Sequence, residues 1–458
     1  MRRSVLSFGL SSLAIVTLAG CTGDDTNPAV PDSGSPSDAS SDGTTGHADA
    51  APDGSVEPTD SAAGDGGQDG GPGADASDAS VGPFLLLSYY YDGYTSTGYS
   101  AFDVPSATQQ GSLSYPSNGG GGINVSTALA PWVLEQGNDL VLRMDPAAPW
   151  KAMSSWSLAT VPPAPDSMGN VDPFAVAEVG SKAYVLSYAS DSIAVLDTSQ
   201  AYDAGAPTEL IPLVPDGGAN LQGMALAYDA SQSKIWVVLG NANSPAYPPL
   251  CAPEYHPTVV AIDTTSDTLV SNLTYTLQGY GLAFGTQAVV FDSANDRLLI
   301  ASEGCNDPAD AGDGGVTDGP LDEAYIEQVP LSGSDAGSAS ILLHLSPANS
   351  PTAFIWGDST HAYLQMATGT TYAWDSTQGD TLGAAIPNAP DTFVWDGHGL
   401  LGPKSMPVGE DGGVSFAVIS VDPADGGVTT IATDPFTPAP ADPFAQEAWQ
   451  SIDLWPHP

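Results

Sequence analysis

Basic residues are almost missing from this chain: 8 Lys and Arg stand against 54 Asp and Glu, for a formal net charge of −46 over 458 residues. Binding nucleic acid requires clustered Lys and Arg to neutralise phosphates, so that partner class is excluded on charge alone. Cysteine is scarce too, with three in all, which rules out a disulfide-dense miniature scaffold. The uncharged, mostly apolar stretch at 5–18 is too short for a bilayer-spanning helix, which takes roughly 20 residues. Nowhere does an apolar period of 3.6 persist, and that leaves a β protein. Motifs of strong chemistry are also lacking: no His-Glu-x-x-His, no P-loop, no Gly-x-Ser-x-Gly and no Cys-x-x-Cys. Gly357-Asp358-Ser359 before His361 is only faintly esterase-like, and it reads as the polar turn between strands at 354–356 and 362–366.

What is present begins with an export signal. Arg2 and Arg3 precede the apolar stretch, which ends in Leu18-Ala19-Gly20-Cys21. Small residues there admit a peptidase to the extended backbone and leave the thiol free to accept a diacylglycerol. The four residues resemble the lipobox of bacterial lipoproteins, which implies cleavage after residue 20, lipid on Cys21 and a stable membrane anchor. Thr22 in place of aspartate then implies passage to the outer membrane, facing the periplasm or the cell surface. Residues 22–82 carry thirteen acidic side chains, no Lys or Arg and no Phe, Tyr or Trp. Such a segment buries too little apolar surface to offset chain entropy and is expected to be a disordered tether spanning about 45 Å. Its aspartates lack the spacing and closing glutamate of an EF-hand loop. The expected layout is therefore a signal at 1–20, a lipidated acidic linker at 21–82 and a folded domain at 83–458.

The folded part repeats. Six predicted strands end in an apolar residue followed by aspartate: Phe102-Asp103, Met144-Asp145, Leu196-Asp197, Ile262-Asp263, Trp374-Asp375 and Val421-Asp422. A strand at 324–329 fills the one gap without an aspartate. Counting Val329, the spacings are 42, 52, 66, 66, 46 and 47 residues. Seven such units match four-stranded propeller blades, with six or eight blades as neighbouring alternatives. A partner strand precedes each, at 84–90, 132–136, 183–188, 235–239, 298–302 and 362–366. For the seventh the only candidate, near Gly399 to Leu401, is poor. The runs 225–239 and 288–302 align as hairpins around polar turns. The alternating run 449–455 is expected to supply the inner strand of the first blade and so close the ring.

The run 183–198, AYVLSYASDSIAVLDT, resembles one repeat of the YVTN-type β-propellers of bacterial surface and periplasmic proteins. The resemblance implies a propeller fold and carries no catalytic residue with it.

Cys251 and Cys305 lie in long connections between the second and third strands of the fourth and fifth units, at 241–257 and 304–323. Loops at equivalent positions emerge on one face, and export places them in an oxidising compartment, so a disulfide is expected. With His256 as the only nearby histidine, a zinc site is the weaker reading. A third loop is expected at 403–413. Loops gathered on one face suggest a binding face there. Asn170, Asp172, Asn220, Asn349, Asn388 and Asp391 precede predicted inner strands and would be oxygen ligands if a Ca2+ ion sat at the channel mouth; otherwise they serve turns. Tyr89, Tyr91 and Tyr94 would be stacking platforms for a sugar or peptide, or else pack between blades. Two functions follow as expectations: a non-catalytic binding or scaffold module for a protein, peptide or glycan, and a calcium-dependent hydrolase or lactonase acting at the pore mouth.

Overall fold

Apolar residues on both faces of a short strand mean that both faces are covered. The run Lys234–Leu239 (KIWVVL) is buried at every position after the first, and Pro131–Glu135 (PWVLE) throughout. In the computed structural model these are second strands of four-stranded antiparallel sheets, of which there are seven. The structure describes residues 82–456, apart from 92–95, 117–121, 165–168, 200–204, 214–221, 241–250, 252–254, 282–288, 306–323, 334–335, 346–350, 358–359, 367, 409–412 and 437–448. The expected lipidation at Cys21 and the tether lie outside the described residues, as do Tyr94, Asn220 and Asn349.

The first strands of blades 1 to 7 are, in order, Trp449–Trp455, Ile123–Thr127, Pro173–Val179, Gly223–Asp229, Val289–Asp292, Pro351–Trp356 and Val394–Trp395. They sit innermost and outline a central channel. Seven buried hydrophobic clusters fill the spaces between blades, one for each of the seven interfaces. Blades 3 and 4 meet through Phe174, Tyr184, Leu186, Ile235 and Val237, and blades 7 and 1 through Leu401, Val418, Leu85 and Phe102. The fold is a seven-bladed, all-β propeller.

The recurring apolar-Asp pair has a local cause. Five of those aspartates end a third strand, and Asp422 directly follows one that ends at Val421. Asp145, Asp197, Asp263, Asp375 and Asp422 each accept the backbone N–H two residues on, at 2.8–2.9 Å, which closes the turn into the outer strand. Asp103 takes the Ser106 hydroxyl instead, at 2.7 Å. In blade 5 the third strand, Ala324–Pro330, ends in proline and its turn has Gly333 and Gly337 at positive φ.

Chain closure follows the expected route. Trp449–Trp455 pairs antiparallel with Phe84–Tyr91, placing Leu85 beside Leu454 and Leu87 beside Ile452. The first strands expose backbone on their channel side, and neighbouring side chains meet part of it. Asn124 Nδ2 donates to Phe174 O at 3.1 Å, and Ser451 Oγ accepts from Val125 N and donates to Val125 O.

Blade 7 departs from expectation. Its second strand is long, Leu400–Val408, and pairs with Gly413–Val421 along its whole length, so 403–408 is strand rather than loop. Pro403 and Pro407 disguised it. They are tolerated because the first strand of this blade is only Val394–Trp395 and pairs no further than Leu401, leaving no inner neighbour that needs their missing N–H. Gly402 is required there: a Cβ would lie 1.9 Å from Thr392 O.

Candidate functional site at the ends of the channel

Antiparallel connectivity gives the channel two unlike ends. Turns joining first to second strands, and third to fourth, gather at one end; the longer connections that carry Cys251 and Cys305 gather at the other.

At the hairpin end all seven first strands contribute to a cavity of about 650 Å³. Three aromatic residues line it. Trp395 stacks on Tyr363 at 5.1 Å between centroids, and Trp356 meets Trp374 edge-on at 6.1 Å. Tyr228, the third, is half-buried against the cluster between blades 3 and 4. Leu129, on the first hairpin turn of blade 2, is 58% exposed at the rim, an unusual place for leucine. Two buried carboxylates complete the lining. Glu178 accepts from Arg143 Nη2 at 2.9 Å and from Trp132 Nε1 at 3.2 Å, so its charge is balanced. Asp453 accepts from Thr127 Oγ1 and from Leu454 N, each at 2.8 Å.

The loop-bearing end is acidic in a different way. Asp139 Oδ1 accepts from Val171 N at 2.9 Å and Asp172 N at 3.2 Å, which ties a turn of blade 2 to the start of blade 3. Asp172 has φ 52°, the left-handed region that aspartate tolerates better than most residues. Burial, then the neighbouring Asp139, push its carboxyl up to about 6. Burial likewise raises Asp139 and Glu135, the latter further raised by Asp139. Tyr188 is raised by burial and then by Glu303 and Asp172, while a hydrogen bond with Gln222 opposes. Carboxyls from three blades thus share this mouth with a phenol.

At this end Cys251 and Cys305 form the expected disulfide, with Cα atoms 5.1 Å apart. His256 stacks on Tyr280 at 4.1 Å, and its Nδ1 lies 3.2 Å from Gly279 O. The fully buried Glu327 accepts from Gln278 N and Gly279 N at 2.7 and 2.6 Å; burial raises its carboxyl while these bonds and His256 oppose.

Four of the proposed calcium ligands lie among the described residues, in the connections that lead into blades 3 and 7. Asn170 directs its amide nitrogen at Gly137 O, 3.5 Å away, and Asp172 belongs to the Asp139 pair. Asn388 is exposed in a turn at φ 59°. Asp391 is committed to Lys404 Nζ at 3.1 Å and Ser405 N at 2.6 Å. Among the described residues no three His, Cys, Asp or Glu side chains stand close enough to share an ion. Tyr89 is fully buried against Phe436 at 5.8 Å, because both faces of its strand are covered, so it packs between blades rather than offering a platform. Tyr91 ends the same strand opposite Ser96. Tyr228, Trp356, Trp395 and Glu178 were not singled out from sequence. Each is one of the last two residues of a first strand, and that placement was the available signal.

A scan against protein-family models finds no match, and a search of curated proteins finds none either. Solved structures similar to this chain include a periplasmic gluconolactonase, PpgL, of Pseudomonas aeruginosa, at 12% identity and TM-score 0.48, covering 82% of this chain and 99% of that one. Others are the hydrazine synthase of Kuenenia stuttgartiensis, at 12% and 0.46, covering 78% and 97%, and AztD of Citrobacter koseri, at 13% and 0.41, covering 81% and 97%. At such identities and scores nothing about this chain's chemistry follows from them.

Proposed function

We propose that this chain is a lipid-anchored module of the bacterial cell envelope that binds a small ligand, or the exposed end of a peptide or glycan, in the hairpin-end cavity without a chemical step. The observation that carries the reading is the cavity itself. Its volume of about 650 Å³ falls within the roughly 300–1,000 Å³ typical of small-molecule pockets. Aromatic rings with a few polar groups are the lining such sites use. Lipid on Cys21 and the acidic segment after it would hold the ring away from the membrane, and the YVTN-like run at 183–198 supports an envelope location. Two experiments test this. Intrinsic tryptophan emission of the full chain is titrated with cell-wall glycan fragments and short peptides; saturable change supports the reading, and its absence across the panel refutes it. Metabolic palmitate labelling should mark the wild type and not Cys21→Ser.

One observation favours a second reading, hydrolysis at the loop-bearing mouth: Asp172, with its carboxyl near 6, is suited to general acid–base work at neutral pH. Turnover of lactones or esters that Asp172→Ala abolishes would favour it.

A further inference from the structure

We infer that the ligand of the hairpin-end cavity is an organic cation, an alkylammonium group held among Tyr228, Trp356 and Trp395; this rests on reading the cavity as a ligand site. The argument starts from where the six basic side chains of residues 83–458 are spent. Arg143, Lys182, Arg297 and Lys404 form internal ion pairs with Glu178, Asp267, Asp292 and Asp391. Lys234 donates to Gln232 Oε1 at 3.0 Å. Lys151 is exposed on the outermost strand of blade 2, away from the channel. Among the described residues, therefore, no Lys or Arg lines this cavity, while Asp453 and the paired Glu178 do.

The surrounding field has the same sign. The turns carrying Asp103, Asp145, Asp197, Asp263, Asp375 and Asp422 all emerge at this end, because third strands run parallel to first strands. An anionic ligand would find no counter-charge, and a neutral one would draw no benefit from the field. A cation is attracted both by the acidic rim, which low-dielectric walls focus into the channel, and by aromatic π-systems. Weakly hydrated alkylammonium groups lose least on leaving water, so they fit a partly apolar lining better than a small metal ion does.

The test uses three probes of nearly one shape: choline, its uncharged carbon isostere 3,3-dimethylbutan-1-ol, and the anion 3,3-dimethylbutanoate. Each is titrated into the full chain while tryptophan emission is read, at two salt concentrations. Choline is expected to bind at least about tenfold more tightly than the neutral isostere, more weakly at high salt, and the anion not at all. Trp356→Leu should weaken choline at least about fivefold. Tyr228→Leu serves the same purpose should the first variant fail to fold, and Met153→Gln, exposed on the outermost strand of blade 2, should leave choline binding unchanged. Equal or tighter binding of the neutral isostere or the anion overturns the inference, and so does no response to choline. If a neutral glycan still titrates, the cation fails alone and the cavity reading stands. If no probe and no panel ligand titrates, both fail.

Discussion

Replacing Asp172 by asparagine should make the protein more stable at neutral pH. In the fold this carboxyl is pushed up to about 6 by burial and by Asp139, whereas an unfolded chain leaves it near about 3.9. Between those values the folded state binds more protons, so stability falls as pH rises and the penalty is complete above about 7. A difference of about two pKa steps at 1.36 kcal/mol each is about 3 kcal/mol; solvent screening of the part-exposed group reduces the expected gain to about 2 kcal/mol. Asparagine keeps the size, tolerates the φ of 52° and retains the backbone N–H that Asp139 accepts. Urea unfolding of wild type and Asp172→Asn, followed by tryptophan emission from about pH 4 to 8, measures the difference. The gain should be near zero at the acid end and largest at the alkaline end. An equal gain at pH 4, or a loss at pH 8, would refute the argument. A residue that lowers stability where it stands is what a binding or reacting group is expected to be.

Glu178→Ala strands the Arg143 guanidinium and the Trp132 N–H between blades 2 and 3, and should lower unfolding stability by about 3–5 kcal/mol in urea titration. Joint replacement of Cys251 and Cys305 by serine opens a loop of sequence separation 54 and should cost about 4 kcal/mol on the chain-entropy model; a reductant should lower the melting midpoint of wild type and leave the variant where it is. Deleting residues 449–458 removes the strand paired with Phe84–Tyr91 and the burial of Ile452 and Leu454. The bared edge should drive association, seen as oligomers or loss of soluble protein in size-exclusion chromatography.

Much of the fold was legible because its signals are local. Each apolar-Asp pair marks the end of a third strand since an Asx turn is completed within a few residues, as between Asp263 and Thr265. Second strands stood out because burial on both faces makes them continuously apolar, as in Lys182–Ser187. Outer strands such as Thr268–Thr276, largely exposed, and the two-residue Val394–Trp395 carry no such signal. The proline-bearing strand of blade 7 was hidden because its tolerance of Pro403 depends on a first strand that pairs only as far as Leu401.

The candidate sites were less legible. Asp172 was placed at a channel mouth from its position before an inner strand, but its partner Asp139 lies 33 residues away in another blade. Tyr89 looked like a platform because sequence does not show that Phe436 covers it. By itself, then, the sequence determined strand alternation, turn chemistry, the repeat and the cysteine pairing, all of which follow from residues near one another or from blade equivalence. Only the tertiary structure decided what lines the channel. Contacts such as Thr127 with Asp453, 326 residues apart, exist only once the ring closes and brings first strands of different blades to a common axis.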